Sequence, residues 1–134
     1  MDDVGAVRGR VWRDGELVED EFDFEQISAH LKDETCLIWV DLCGPGPGLL
    51  DRLAGELSLD PQAVEDAVAH AERAKATRYA SHVFLTAYST RIVGGDSPTP
   101  LGRAIGLRTA RVSAFVFPHG VITIRVARSS IWNR

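Results

Sequence analysis

The first third of the chain alternates extended runs with turn residues. Residues 8–12 and 16–22 form two short runs on either side of Asp14-Gly15, a pair that favours a tight hairpin turn. The second run is acidic, so we expect one of its faces to be exposed to water. Apolar residues then recur four positions apart, which predicts a short helix over residues 24–32.

Two apolar segments with different periods follow. The nearly continuous run CLIWVDL, residues 36–42, is typical of a strand that is buried on both faces of a sheet. Residues 44–48, GPGPG, end that strand with a turn. Residues 49–57, LLDRLAGEL, place leucines on one helical stripe, which predicts an amphipathic helix.

A second helix is predicted to start at Asp60-Pro61. Asp60 can cap the free backbone N–H groups, and proline is favoured at the first helical position. Glu65 and Asp66 fall off the apolar stripe of this helix, so we expect them to point away from the core or across its edge. The residues at core spacing are Val64, Ala67, Val68 and Ala71.

The last part of the chain reads as extended structure again. An extended run at 82–93 is followed by a segment rich in Gly and Pro at 94–106. Residues 112–117 and 121–127 are predicted to form a hairpin through the turn at 118–120. Strands and helices do not alternate strictly, so we expect a mixed sheet with helices packed on its faces.

Composition narrows the class of protein. The 134 residues are enough for one domain with a core, and 45% of them are hydrophobic. A net charge of −4 argues against nucleic acid as a partner, because phosphate binding needs a basic surface. The start of the chain lacks a signal-peptide pattern, and no run approaches the ~20 apolar residues that span a bilayer. We therefore expect a soluble, cytoplasmic chain.

Two candidate sites are weak. The loop GPGPG cannot cradle a phosphate well, because two of its five residues are prolines without an N–H to donate. Cys43 before this loop could act as the nucleophile of a small enzyme, but the sequence shows no histidine motif to activate it. We expect Cys36 and Cys43 to be reduced thiols, since their spacing fits no zinc pattern.

The adjacent carboxylates Glu65 and Asp66 are the strongest candidate. Adjacent charged residues on a helix are most often simply solvated. Hard cations such as Mg²⁺ take oxygen ligands and often need only one or two carboxylates. Neighbouring helical residues diverge by about 100°, so we do not expect this pair to chelate one ion alone. A second chain or segment would have to supply the remaining ligands.

Three stretches together resemble a known family. They are WVDL at 39–42, LDPQAVEDAVAHAERAKATRYASHVFLTAY at 59–88 and VSAFVFPHGVITIRV at 112–126. Their order and spacing are similar to the cytoplasmic N-terminal domain of CorA-type magnesium and cobalt transporters. The family usually has Arg-Pro-Lys where this chain has Arg73-Ala74-Lys75.

The resemblance implies an α/β fold, a three-layer α/β/α domain with a central mixed parallel/antiparallel sheet. Residues 1–128 would form that domain, and residues 129–134 would begin a stalk helix. The stalk, the transmembrane helices and the pore motif would lie outside this sequence. The chain alone would then transport no ions, and its contact with a membrane would depend on those absent segments.

The resemblance also gives the two carboxylates a role. It implies that Asp66 is the principal ligand of a regulatory divalent cation, Mg²⁺ or alternatively Co²⁺ or Ni²⁺, and that Glu65 is a secondary ligand that contributes to a second, nearby site. The partner would be the neighbouring subunit of a homo-pentamer. The chain would be a regulatory, metal-sensing domain and not an enzyme. The alternative is a stand-alone cytosolic interaction module on the same fold without metal sensing.

Overall fold

A computed structural model of the protein describes residues 6–69, 73–93 and 106–125. Within these ranges, seven strands form one sheet, and three α-helices and one 3₁₀ turn accompany it. The helices are α1 (Ile27–Lys32), α2 (Pro47–Leu57) and α3 (Pro61–Val68), and the 3₁₀ turn is Phe24–Gln26. The strands are β1 (Ala6–Arg13), β2 (Glu16–Asp20), β3 (Leu37–Cys43), β4 (Lys75–Arg78), β5 (Val83–Val93), β6 (Gly106–Phe117) and β7 (Gly120–Arg125).

The sheet is mixed, as predicted. Its strand order is β2-β1-β3-β7-β6-β5-β4. The two central strands, β3 and β7, run parallel, with Asp41 in register with Thr123. All other neighbours pair antiparallel. The expected α/β fold with a central mixed sheet is therefore confirmed.

The first hairpin forms where the sequence predicts it. Asp14 and Gly15 both have positive φ, 54° and 81°, which is the backbone geometry of a hairpin turn that matches the twist of its strands. Every residue of β2 is exposed, so this acidic strand forms one edge of the sheet. Its charges discourage pairing with another strand at that edge.

One face of the sheet carries the core. Ile38, Val40 and Leu42 alternate along β3 and are all fully buried, because successive side chains of a strand point to opposite faces. They share one apolar cluster with residues from all three helices, which therefore pack on this face. The helical members are Ile27 of α1, Leu49, Leu50 and Leu53 of α2, and Ala63 and Ala67 of α3.

The second face of the sheet is defined here by Trp39, Asp41, Thr123 and Arg125. Asp41 and Arg125 are buried, with 8% of each residue exposed. Among the described residues, no helix covers this face. The predicted stalk start at 129–134 lies outside them. The prediction that the strand at 36–42 is buried on both faces is therefore correct for the first face only. On the second face Asp41 is buried, but Trp39 is half-buried and Leu37 is 54% exposed.

One strand of the second half is longer than predicted. β6 begins at Gly106 and not at 112, and residues 106–116 of this strand pair with the whole of β5. β4 pairs with only the first part of β5, and β7 with only the last part of β6, so the other ends form a two-stranded ribbon. Ile92 and Leu107 face each other across this ribbon and are 66% and 67% exposed. Residues 94–105 lie outside the described part of the chain.

Candidate functional site

The site is built on α3, whose start agrees with the sequence. The Asp60 carboxylate accepts hydrogen bonds from the backbone N–H groups of Gln62 (2.9 Å) and Ala63 (3.3 Å), and Pro61 occupies the first helical position. This cap satisfies two of the N–H groups that a helix start leaves without partners. The helix ends at Val68. Ala71, which the apolar spacing also places at a core position of this helix, lies outside the described residues.

Glu65 and Asp66 differ in their surroundings. Glu65 is exposed and points away from the core. Asp66 lies on the buried side of α3 with Ala63 and Ala67, and 9% of the residue is exposed. We expected both carboxylates to point away from the core or across its edge. Glu65 points away from the core, and Asp66 lies across the core edge.

Asp66 is held by two donors from its own chain. The Lys75 ammonium lies 2.9 Å from Oδ2 of Asp66, and the Gln62 amide Nε2 lies 3.1 Å from Oδ1. The same amide is 3.3 Å from Oε1 of Glu65, so Gln62 links the two carboxylates. Lys75 comes from β4, a strand that the sequence did not predict.

These contacts keep Asp66 charged. The hydrogen bond from Lys75 and then that from Gln62 lower the pKa of Asp66, against an opposing effect of burial. Donors stabilise the ionised form of a carboxyl group, whereas loss of water destabilises it. Asp66 therefore presents a carboxylate at neutral pH, already paired with one positive charge.

More donors surround the end of α3. The backbone carbonyl of Ala67 accepts hydrogen bonds from Oγ of Ser113 (3.4 Å) and Nη2 of Arg111 (3.5 Å), both on β6. The last carbonyls of a helix have no intrahelical partner and favour nearby cations. Arg111 and Lys75 therefore give this end of the helix a positive surrounding.

The described residues supply only part of what a divalent cation needs. In the described ranges, no group of three or more His, Cys, Asp or Glu side chains is placed to hold a metal ion. Mg²⁺ takes oxygen ligands in an octahedral shell and usually keeps several waters, with one or two carboxylates from the protein. Asp66 and Glu65 fit that chemistry as part of a shell. The remaining ligands would have to come from outside the described residues.

A family model decides the relationship. The model of the CorA-like Mg²⁺ transporter protein family matches residues 34–134, three quarters of the chain. The chain belongs to the CorA-like family. No curated protein matches it in sequence.

Solved structures agree on the fold of this CorA-like chain. It is similar to the soluble domain of CorA from Methanocaldococcus jannaschii, with 14% identity, a TM-score of 0.59, and coverage of 96% of this chain and 43% of that one. The full-length CmaX protein has 16% identity to this chain and a TM-score of 0.63. The match covers 96% of this chain and 37% of that one. The complete CorA magnesium transporter from M. jannaschii has 11% identity to this chain and a TM-score of 0.57. The match covers 92% of this chain and 33% of that one.

The CorA-like chain therefore spans less than half the length of these solved structures. At such low identity the similarity shows the shared fold and not shared residues at the site. Of the helices that the structure describes, none is long and apolar enough to cross a bilayer.

A second polar cluster was not predicted. On the second face of the sheet, the Arg125 guanidinium donates to both oxygens of Asp41, at 2.6 Å from Nη2 to Oδ2 and 3.4 Å from Nε to Oδ1. Oγ1 of Thr123 donates to Oδ1 of Asp41 (2.7 Å) and accepts from the Trp39 indole N–H (3.0 Å). The aspartate within the apolar motif WVDL was the available signal, since a buried carboxylate needs partners.

The cysteines give little support to the enzyme alternative. The Cys36 thiol is buried and contacts the backbone carbonyls of His30 and Asp33 at 3.6 Å, and burial raises its pKa, which disfavours the reactive thiolate. Cys43 ends β3 next to the turn that leads to α2. The carbonyl of His119 bonds to the N–H of Ile38, at the other end of β3 from Cys43. This histidine is thus placed away from Cys43.

Proposed function

We propose that this chain is the regulatory domain of a CorA-like divalent cation transporter, located on the cytoplasmic face of a membrane. In this role it binds the regulatory ion and performs no chemical reaction. The ion is Mg²⁺, with Co²⁺ or Ni²⁺ as alternatives. One observation carries the proposal: α3 places the carboxylate of Asp66 at the edge of the core, next to the exposed carboxylate of Glu65.

In this proposal, Asp66 is the principal ligand and Glu65 the secondary one. Glu65 is more exposed than Asp66. A hydrated ion therefore meets the carboxylate of Glu65 first and contacts that of Asp66 only when it has come closer to the core. Neighbouring subunits of a homo-pentamer supply the other oxygen ligands. An ion bound between subunits neutralises facing carboxylates and favours the closed arrangement, and loss of the ion shifts the population towards the open one.

A specific contact favours a second candidate function. Lys75 already places a positive charge 2.9 Å from Asp66, which is what an ion pair without any metal role would look like. A chain in which this pair is only structural would be an interaction module on the same fold, without metal sensing. The two candidates differ in whether Mg²⁺ binds at α3.

A titration with Mg²⁺ distinguishes them. Backbone amide shifts of the 134-residue chain would be followed by NMR to tens of millimolar Mg²⁺, for the wild type, Asp66→Asn and Asp51→Asn. Asp51 is an exposed residue of α2, so its variant has the same charge change away from the site. We expect shifts centred on Glu65 and Asp66 that disappear in Asp66→Asn and persist in Asp51→Asn. Shifts spread over all acidic surfaces, or none, would support the interaction module.

A further inference from the structure

Every oxygen of Asp66 has a donor from the chain itself. Oδ2 is bound by Lys75 and Oδ1 by Gln62, while Glu65 accepts only the longer contact with Gln62 among the described hydrogen bonds. Each oxygen still has a second lone pair, so a divalent ion that binds Asp66 directly comes to lie next to these donors. Lys75 is the relevant one, because its charge has the same sign as the ion and repels it.

The backbone of Lys75 is fixed by strand pairing, and its side chain is partly exposed. β4 pairs with β5 so that Lys75 lies opposite Thr86, which is buried beneath α3 on the same face as Ser113. The Lys75 side chain is 30% exposed, against 12% for that of Asp66. An ammonium on a flexible four-carbon stem can move into water without any change in the strand.

We propose that Lys75 is a tethered cation that occupies Asp66 and sets the Mg²⁺ concentration at which a divalent ion takes its place. This inference rests on the proposed function and names the regulation of the same site. At low Mg²⁺ the ammonium neutralises Asp66. At high Mg²⁺ the ion binds Asp66, and Lys75 turns out to solvent with its proton. Lys75 is a competitor for the ligand and not itself a ligand.

Removal of the charge at position 75 tests the competition. Lys75→Met keeps the aliphatic stem and removes the ammonium, and Lys32→Met, at an exposed position of α1, makes the same change in net charge elsewhere. The apparent Kd for Mg²⁺ would be taken from the amide shifts of Glu65 and Asp66. A unit charge a few ångströms from a divalent ion changes its affinity by at least about tenfold. We expect Lys75→Met to bind Mg²⁺ about tenfold more tightly and Lys32→Met to match the wild type.

A second measurement follows the lysine directly. In the wild type, saturation with Mg²⁺ should move the ¹³Cε and ¹⁵Nζ signals of Lys75 to the values of a solvated lysine. If Lys75→Met does not fold, Lys75→Arg is the variant to use, because it keeps the positive charge and the fold. Its affinity for Mg²⁺ should be at or below that of the wild type.

The outcomes separate the two proposals. Equal affinities of the wild type and Lys75→Met, or an unchanged Lys75 signal while Asp66 binds Mg²⁺, would overturn the competition and leave the sensing function intact. Absence of binding at Glu65 and Asp66 in the wild type and in every variant would overturn the sensing function itself, and the competition with it.

Discussion

The chain pairs two buried or nearly buried aspartates with cations, and the two pairs are built differently. Asp41 and Arg125 have side chains that are 11% and 10% exposed, and they lie on the two central, parallel strands. The guanidinium contacts both carboxylate oxygens, and Thr123 adds a further donor. The two residues lie on the same face of adjacent parallel strands, and both side chains are almost fully buried.

The pair of Asp66 and Lys75 joins a helix end to an edge strand. A single ammonium contacts one carboxylate oxygen, and its side chain is three times as exposed as that of Arg125. A planar guanidinium recognises a carboxylate through two hydrogen bonds, whereas an ammonium acts as a point charge. The central pair is therefore suited to fix the fold, and the pair at the sheet edge is suited to exchange its lysine for a second cation.

The largest difference should come from breaking the central pair. Asp41→Asn removes the charge that compensates a buried guanidinium, which costs about 3–5 kcal/mol in the free energy of unfolding. Urea denaturation at neutral pH would measure it. Asp20→Asn breaks an exposed ion pair with Arg10 and should cost less than about 1 kcal/mol. Similar losses in the two variants would show that the central pair does not hold the sheet.

A smaller effect is expected when only the shape of the central cation changes. Arg125→Lys keeps the charge but loses the planar fork and one of the two contacts with Asp41. Because a hydrogen bond to a charged group contributes about 1–3 kcal/mol, we expect a loss in that range by urea denaturation. A variant as stable as the wild type would mean that charge alone, and not the fork, matters at this position.

The smallest effect concerns the pH dependence of the exchangeable pair. The pKa of Asp66 is lower in the folded chain than in the unfolded one, so the unfolded state binds the proton first as the pH falls. The ionised Asp66 therefore stabilises the folded chain fully above the ordinary carboxyl pKa of about 4. This stabilisation is lost as the pH falls through the pKa that Asp66 has in the folded chain. Lys75→Met should raise the pKa of Asp66 and reduce this loss.

Carboxyl ¹³C titration by NMR would measure that shift in pKa. Asp33 is an internal control, since hydrogen bonds from Thr35 lower its pKa to about 2 and Lys75 has no part in them. The pKa of Asp33 should be the same in the wild type and in Lys75→Met. An unchanged pKa of Asp66 in the variant would contradict the assignment of Lys75 as its main partner.

Local chemistry made much of the fold predictable. Asp14-Gly15 specifies a hairpin turn through residues that accept positive φ, and Asp60-Pro61 specifies a helix start through a cap and a fixed φ. The apolar run in β3 reflects its central position in the sheet. In each case, neighbouring residues contain the physical reason for the structure.

The parts that escaped prediction depend on contacts between distant residues. β4, with the sequence KATR, has no apolar alternation because it lies at the edge of the sheet, so nothing marked it as a strand. Lys75 was visible only as part of a family motif, and its contact with Asp66 needs β4 in place. Asp41 and Arg125 are 84 residues apart, and only the parallel pairing of their strands brings them together. The metal role of Glu65 and Asp66 stays a prediction.

The parallel pairing at the sheet centre bears on the order of folding. Trp39 and Thr123 are 84 residues apart, so bringing β3 to β7 closes a long loop and costs chain entropy before any contact is gained. The pairings of β1 with β2 and of β6 with β7 close much shorter loops. We expect these hairpins to form early and the central ladder to form late. The apolar edge of β3 is then the surface most exposed to misassociation while the chain folds.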